Sequence, residues 1–417
     1  MVLSPLILTL PGEVMGENTS LRGITVLDLG QIYNGPYATF LMAMAGARVI
    51  KVESLRGEAL RDSAATGSAA YPFLMLNQNK ESISLDLKSE RGKALFRELV
   101  KKADVVLENF APDTMAGLGL SAEELLAINP RLIYASGSGY GRSGMHRDFL
   151  AMDITVQAMS GIMSVTGYAD SPPLRSGAAL CDFFGGVHLY GAVVTKLFER
   201  QRTGRGAVID VAMQDTVLPT LASAVGAYYY HGRRVQPRTD NRHAALTLAP
   251  YNVYEASDGY VSIICVRDGH WRALLRAIER QDLLADEGLN TKDGRARQMQ
   301  VVDDIVCQWT RLHSRQEVLE ILQGEGVPCA VVRDIEEILQ DQHLRERGML
   351  FDIEHPRMGQ VALMNSPLNV AMGEHTEPRL PPALGEHNRD VYEGLLGLSA
   401  DDVRQLMEQN VIGGAEG

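Results

Sequence analysis

The 417-residue sequence predicts an α/β fold, a doubly wound, Rossmann-like large domain joined to a smaller α+β domain. Three observations carry that expectation. Short apolar runs rich in β-formers alternate with amphipathic helical stretches through the first half of the chain, the pattern of a parallel sheet covered on both faces. The length exceeds the usual domain of about 100–200 residues. The composition also shifts between Tyr228 and Arg242, where Arg233, Arg234, Arg238 and Arg242 stand among polar residues in the manner of an exposed linker.

Taken in order, residues 24–29 form an apolar run bounded by Gly23 and Gly30 and read as a strand. A helix over 37–45 and a strand over 47–53 complete a βαβ unit, which calls for a right-handed crossover. Residues 82–87 read as the next strand. The helix over 90–102 follows, with Leu95, Phe96, Leu99 and Val100 at helical spacing, and then a strand over 104–108. Ser121 and Glu124 have the spacing of a capping box, and 132–136 supplies a further strand. A long apolar helix over 187–202 ends at Thr203-Gly204-Arg205-Gly206 before a strand over 208–212. Beyond the linker, 252–265 reads as a hairpin turning at Ser257-Asp258-Gly259, and Ser314 with Glu317 forms a second capping box. The last helix is expected over 400–407. The chain thus divides into a tail (1–20), a large α/β segment (21–225), a linker (226–245), a small α+β domain (246–335), a second linker (336–350) and a C-terminal segment (351–417).

Composition narrows the function. The net charge of −12 argues against nucleic acid, because neutralising phosphates needs a basic surplus. Residues 2–10 are apolar, but Pro5 and Pro11 break the run and no basic segment precedes it. No apolar stretch reaches the roughly 18 residues that span a bilayer, so a cytoplasmic protein without membrane contact is expected. Cys181, Cys265, Cys307 and Cys329 show no CxxC spacing, and the ten histidines form no paired ligand pattern, so no metal is expected.

Two segments stand out chemically. The loop from Gly30 to Pro36 lies between a strand and a helix, where such folds bind ligands, and Glu53 ends the next strand as a dinucleotide-binding acid would. Its two glycines, Gly30 and Gly35, do not form the G-x-G-x-x-G fingerprint, which sets a nicotinamide enzyme below a plain structural loop. The second segment runs Arg175-Ser176-Gly177-Ala178-Ala179-Leu180-Cys181-Asp182, just ahead of the long helix. Asp182 there is either an N-cap or a carboxylate nucleophile approached across small neighbours. Asp153 likewise reads by default as a cap.

The wording of several segments goes further. Leu21-Arg22-Gly23-Ile24-Thr25-Val26-Leu27-Asp28, Gly46-Ala47-Arg48-Val49-Ile50-Lys51-Val52-Glu53, Asn79-Lys80, Ser84-Leu85-Asp86-Leu87-Lys88, Ala103 to Phe110, Thr203 to Gly206, Gly326 to Cys329 and Leu384-Gly385-Glu386-His387 resemble, in order, the class III (CaiB/BaiF) CoA-transferases. The resemblance runs from about residue 21 to the last helix. It implies an enzyme that moves coenzyme A from an acyl-CoA donor to a carboxylic acid. Asp182 would be the nucleophile and Asp153 an accessory acid near the thioester. CoA contacts would fall at Tyr33, Asn34, Leu85, Asp86, Leu87, Lys88, Asn109, Phe110 and Ala111. Backbone amides of Gly185 and Gly186 are candidates for oxyanion stabilisation. A carboxylate of ordinary pKa, about 4, would need no general base. CoA enters as substrate, with no tightly bound cofactor.

The chain departs from the family at two places. Gly117 replaces a basic residue that some members use, and Asn241-Arg242-His243-Ala244-Ala245 stands where the formyl-CoA branch has a glycine-rich loop, which sets formyl-CoA and oxalate aside. The runner-up on the same fold is an α-methylacyl-CoA racemase. Its proton relay needs an earlier histidine and one before the aspartate, but here the first histidine is His146 and Met152 precedes Asp153. A catalytically silent CoA-binding subunit is a third reading, against which Asp182 argues. Family members form interlocked homodimers, and the two linkers fit that arrangement.

Overall fold

The computed structural model describes residues 19–61, 71–373 and 376–413, so most of the tail expected at 1–20 lies outside the described residues. The described residues divide into two compact units: the first comprises those within 1–156, 179–217 and 341–417, and the second 157–178 and 218–340.

The first unit is built on six parallel strands, β1 (Thr25–Asp28), β2 (Arg48–Glu53), β3 (Glu81–Ser84), β4 (Val105–Glu108), β5 (Ile133–Ser138) and β6 (Ala207–Ala212). Their order across the sheet is β3-β2-β1-β4-β5-β6. Alternation of side chains along each strand explains why the sheet is covered twice. Leu27, Ile50, Val106 and Tyr134 face one way, onto Phe96 and Leu99 of the helix Glu90–Val100 and onto Val391, Tyr392, Val403 and Leu406 of the C-terminal segment. Val26, Val49, Val105 and Ile133 face the other way, onto α1 (Asn34–Met44) and onto Leu189, Val193 and Leu197 of the long helix Leu180–Thr203. Both capping boxes form.

The strand order reverses between β1 and β4. Loops leaving those two strands diverge at the carboxyl edge of the sheet, which is where open α/β sheets open a crevice.

The second unit carries an antiparallel sheet of β7 (Tyr251–Ala256), β8 (Gly259–Ile264) and β9 (Cys329–Val331), packed on helices Asp268–Ala277, Met299–Thr310 and Arg315–Gly324. The boundary expected at 225 differs from the structure in two ways. The second unit begins at Leu218, and it also takes in 157–178, whose chain packs with 218–340. Arg238 donates to the carbonyls of Tyr168, Ala169 and Ser171, and Arg242 pairs with Asp303 at 2.7 Å. Those two arginines of the polar stretch are therefore structural ties. The stretch near 340–348 is not a bare linker either, since it holds the helix Gln342–Glu346.

Candidate active site

Three element ends expected from sequence move, and each move matters. Helix α1 starts at Asn34 instead of residue 37, because Gly35 and Pro36 fit the first helical turn, where a proline loses no hydrogen bond. Strand β3 ends at Ser84, short of the expected 87. The long helix, α6 in chain order after Glu90–Val100 (α3), Ala122–Ile128 (α4) and Asp153–Met159 (α5), with Tyr71–Leu76 as α2, starts at Leu180, seven residues earlier than expected.

That early start places Asp182 inside the first turn of α6, so it is not the N-cap. The capping is done from a distance: Asp153 Oδ2 accepts the backbone N–H groups of Cys181 (2.8 Å) and Asp182 (3.2 Å). Asp153 thus meets two of the donors that every helix start leaves open. Asp182, 9% exposed, has no hydrogen bond to its carboxylate among the described residues. Burial, and then the charge of Asp153, push its pKa up to about 7. This corrects the expectation of an ordinary carboxylate: in the free protein Asp182 holds its proton well above the usual carboxylate range.

Asn34 locks this turn to α1. Its Nδ2 donates to the carbonyl of Asp182 at 3.4 Å, and its side chain is buried between two glycines. A Cβ at Gly185 would lie 2.1 Å from Asn34 Nδ2, and one at Gly137 would lie 2.3 Å from Asn34 Oδ1. Gly185 and Gly186 sit in the second turn of α6, where their N–H groups are used by the helix itself, so the oxyanion role assigned to them does not hold. Their lack of a side chain is what admits Asn34 and Tyr37. Gly185→Ala is expected to cost about 2 kcal/mol by overpacking. It should also lower turnover by displacing Asn34, both read by thermal melting alongside an exchange assay.

A cleft of about 510 Å³ opens at the switch point, walled by Ile32 and Asn34 after β1, Asn109 and Phe110 after β4, Met213, and Asp182. Tyr33 stands beside it with its ring 5.9 Å from that of Phe183. Burial, then the nearby Asp182, raise the Tyr33 pKa. Asn109 Oδ1 accepts from Gln31 N (2.7 Å) and its Nδ2 donates to Gln31 O (2.9 Å), so its carboxamide shapes the β1 loop. Ile32 in that loop has φ +62°, an unfavourable conformation for a β-branched residue. Next to the cleft is a smaller one of about 180 Å³, lined by Glu108, Tyr134 and Arg142 and sharing Phe110, Ala111 and Arg147 with the first.

The structure does not bring residues 85–88 to this cleft. Leu85 is sealed in the core, Asp86 N–H donates to the Val411 carbonyl, and Lys88 N–H donates to Asp86 Oδ1. They lie at the same sheet edge but beyond β2. Conversely, sequence reasoning missed Gly137 to Gly139, at the end of β5 and just beyond it, and the stretch 149–152, which with Tyr140 line the cleft. The repeated glycines of Ser136-Gly137-Ser138-Gly139-Tyr140-Gly141, running off the end of a strand, were a usable signal.

Residues 21–388 match the family described as CoA-transferase family III. The chain belongs to that family. Similarity to family III enzymes extends over nearly the whole chain: it is 35% identical to the formyl-CoA:oxalate CoA-transferase of Streptomyces avermitilis, covering 94% of this chain and 99% of that one. It is 32% identical to the succinyl-CoA–D-citramalate CoA-transferase of Chloroflexus aurantiacus, covering 94% and 98%. A crystal structure of a CaiB/BaiF family protein from Brucella suis superposes with a TM-score of 0.79 at 32% identity, covering 91% of this chain and 100% of that one. This family III protein is therefore an enzyme of the CoA-transferase class. Among its described residues no helix is long and apolar enough to cross a membrane.

Proposed function

We propose that the protein transfers coenzyme A from an acyl-CoA to a free carboxylic acid, with Asp182 as covalent nucleophile. One observation carries the reading. A buried carboxylate without a hydrogen-bond partner among the described residues lines a roomy cleft at the switch point of the sheet, and its helix turn is held by Asp153 and Asn34. A carboxylate used only for structure would be paired or bonded.

In this mechanism the Asp182 carboxylate attacks the thioester carbonyl and expels the CoA thiolate, leaving an acyl-aspartyl anhydride. The thiolate then attacks the aspartyl carbonyl of the anhydride. The donor acid leaves as its carboxylate, and an aspartyl-CoA thioester remains. The acceptor carboxylate attacks that thioester, releasing the thiolate and forming a second anhydride. Return of the thiolate to the acceptor's acyl carbon delivers the new acyl-CoA and frees Asp182. A thiol pKa near 8.5 makes the thiolate a good leaving group at each turn.

Arg142 and Arg147, at the smaller cleft, offer guanidinium groups for the phosphates of CoA. Phe149, Leu150 and Met152 are exposed apolar residues at the rim, a surface suited to cover by a second chain in an interlocked, cytoplasmic homodimer. The named relatives act on oxalate, citramalate, mesaconate and glutarate among others, so the similarity favours no single acid and does not support setting oxalate aside. Asp153 spends an oxygen on two backbone amides, which weighs against its serving as the base of a racemase.

Incubation with a panel of acyl-CoAs, quenching with hydroxylamine and peptide mapping should place a hydroxamate at Asp182, absent without acyl-CoA. No adduct from any donor, together with loss of α-carbon stereochemistry in a branched acyl-CoA, would overturn the assignment.

A further inference from the structure

Two buried lysines are unused by the chemistry above, and both grip the same short loop. Lys51 Nζ donates to the carbonyl of Gly30 (2.8 Å) and pairs with Glu58 (2.9 Å), with 1% of its side chain exposed. Lys80 Nζ donates to the Pro36 carbonyl (3.2 Å), to Thr39 Oγ1 (2.8 Å) and to Asn77 Oδ1 (2.9 Å), and it pairs with Asp28 (2.9 Å) with none of its side chain exposed. Asp28 Oδ1 in turn accepts the N–H of Gly30 at 2.8 Å. The two ammonium groups therefore hold the chain on either side of this loop, at Gly30 and at Pro36 in the first turn of α1, while Asn109 holds it between them through Gln31. Between those holds lies Ile32, the residue with φ +62°.

Neither lysine lines the cleft, so neither is placed to touch substrate. Stability alone is a poor reason for such a network, because apolar residues of similar volume often replace buried ion pairs without loss. What the network secures is a loop shape that relaxation of Ile32 would otherwise destroy. We infer that Lys51 and Lys80, with Asp28, act as positioning residues that keep the loop of Ile32, Tyr33 and Asn34 in its CoA-accepting form. The inference rests on the reading of the cleft as the CoA site. It also gives a physical role to the Asn79-Lys80 and Lys51-Val52-Glu53 motifs, which the chemistry had left idle.

The test is CoA affinity by calorimetry on the full chain. Lys51→Met, which leaves Glu58 buried without its partner, should lower the melting temperature, yet at temperatures where the variant stays folded it should bind CoA tenfold or more weakly. Adding Ile32→Gly to it should recover several-fold of that loss, because glycine adopts positive φ without strain. A merely structural lysine would show no such recovery. Thr39→Val, which keeps the volume and removes one hydroxyl from the Lys80 cluster, should weaken CoA binding in the same direction even if Lys51→Met fails to fold. Unchanged CoA affinity in Lys51→Met or Thr39→Val, or no recovery with Ile32→Gly, would overturn the positioning role while leaving the site intact. Failure of the wild-type protein to bind CoA would overturn the site reading and the inference together.

Discussion

With Asp182 as the proposed nucleophile, Asp182→Asn is expected to stop CoA exchange and to make the protein more stable. Removing a covalent nucleophile costs on the order of 10⁴-fold or more in turnover. The gain in stability follows from the site itself. With its pKa raised from 3.8 to about 7 by burial and by Asp153, the carboxylate holds its proton more tightly in the folded chain than in the unfolded one. The penalty of ionising it is absent below pH 3.8, grows through the window up to about 7, and is complete above it. A shift of that size corresponds to at most about 4 kcal/mol. Melting curves of wild type and Asp182→Asn should therefore agree near pH 4 and separate as the pH rises to 8, with the variant melting higher. A constant gap across that range would show that the carboxylate is not held in the state described. The same ionisation should appear in the wild-type rate: kcat/KM, which reports the free enzyme, rises with pH through an inflection near 7.

Substitution of Asp153 separates its two duties. Asp153→Ala leaves the amides of Cys181 and Asp182 without their acceptor, an expected loss of about 1–2 kcal/mol in stability. The nucleophile shifts with its turn, and displacements of about 1 Å can cost on the order of 10²-fold in rate. Asp153→Asn keeps an acceptor oxygen for the helix but removes the like charge. The inflection of kcat/KM should then move to lower pH, short of the ordinary carboxylate value because burial, the larger cause, remains. Stability of the Asn variant should stay near wild type. An unmoved inflection in Asp153→Asn would mean that burial alone sets the Asp182 pKa.

The strands β1 to β6 and the helices between them were legible because each residue's neighbours carry the signal. Val26 and Leu27 alternate faces, Leu95 to Val100 recur at helical spacing, and Ser121 with Glu124 closes a local capping box. Asp182 was legible only as one of two things, a cap or a nucleophile. The ambiguity was physical, since both need a carboxylate at a helix start. The start of α6 at Leu180 removed the cap reading, and nothing near Asp182 in sequence announces that start: the residue that caps it, Asp153, lies 29 positions away.

By itself, then, the sequence determined the alternating α/β architecture, the place of Asp182 at the head of a long helix and the resemblance to CoA-transferases. The tertiary structure alone decided the raised pKa of Asp182, the use of Gly185 and Gly137 as room for Asn34, the engagement of Asn109 with Gln31 and the distance of Leu85 from the cleft. The division follows the range of the forces involved. Hydrophobic periodicity and capping act over a turn or two of chain, whereas burial, like-charge repulsion and close backbone approach exist only once segments remote in sequence have packed together.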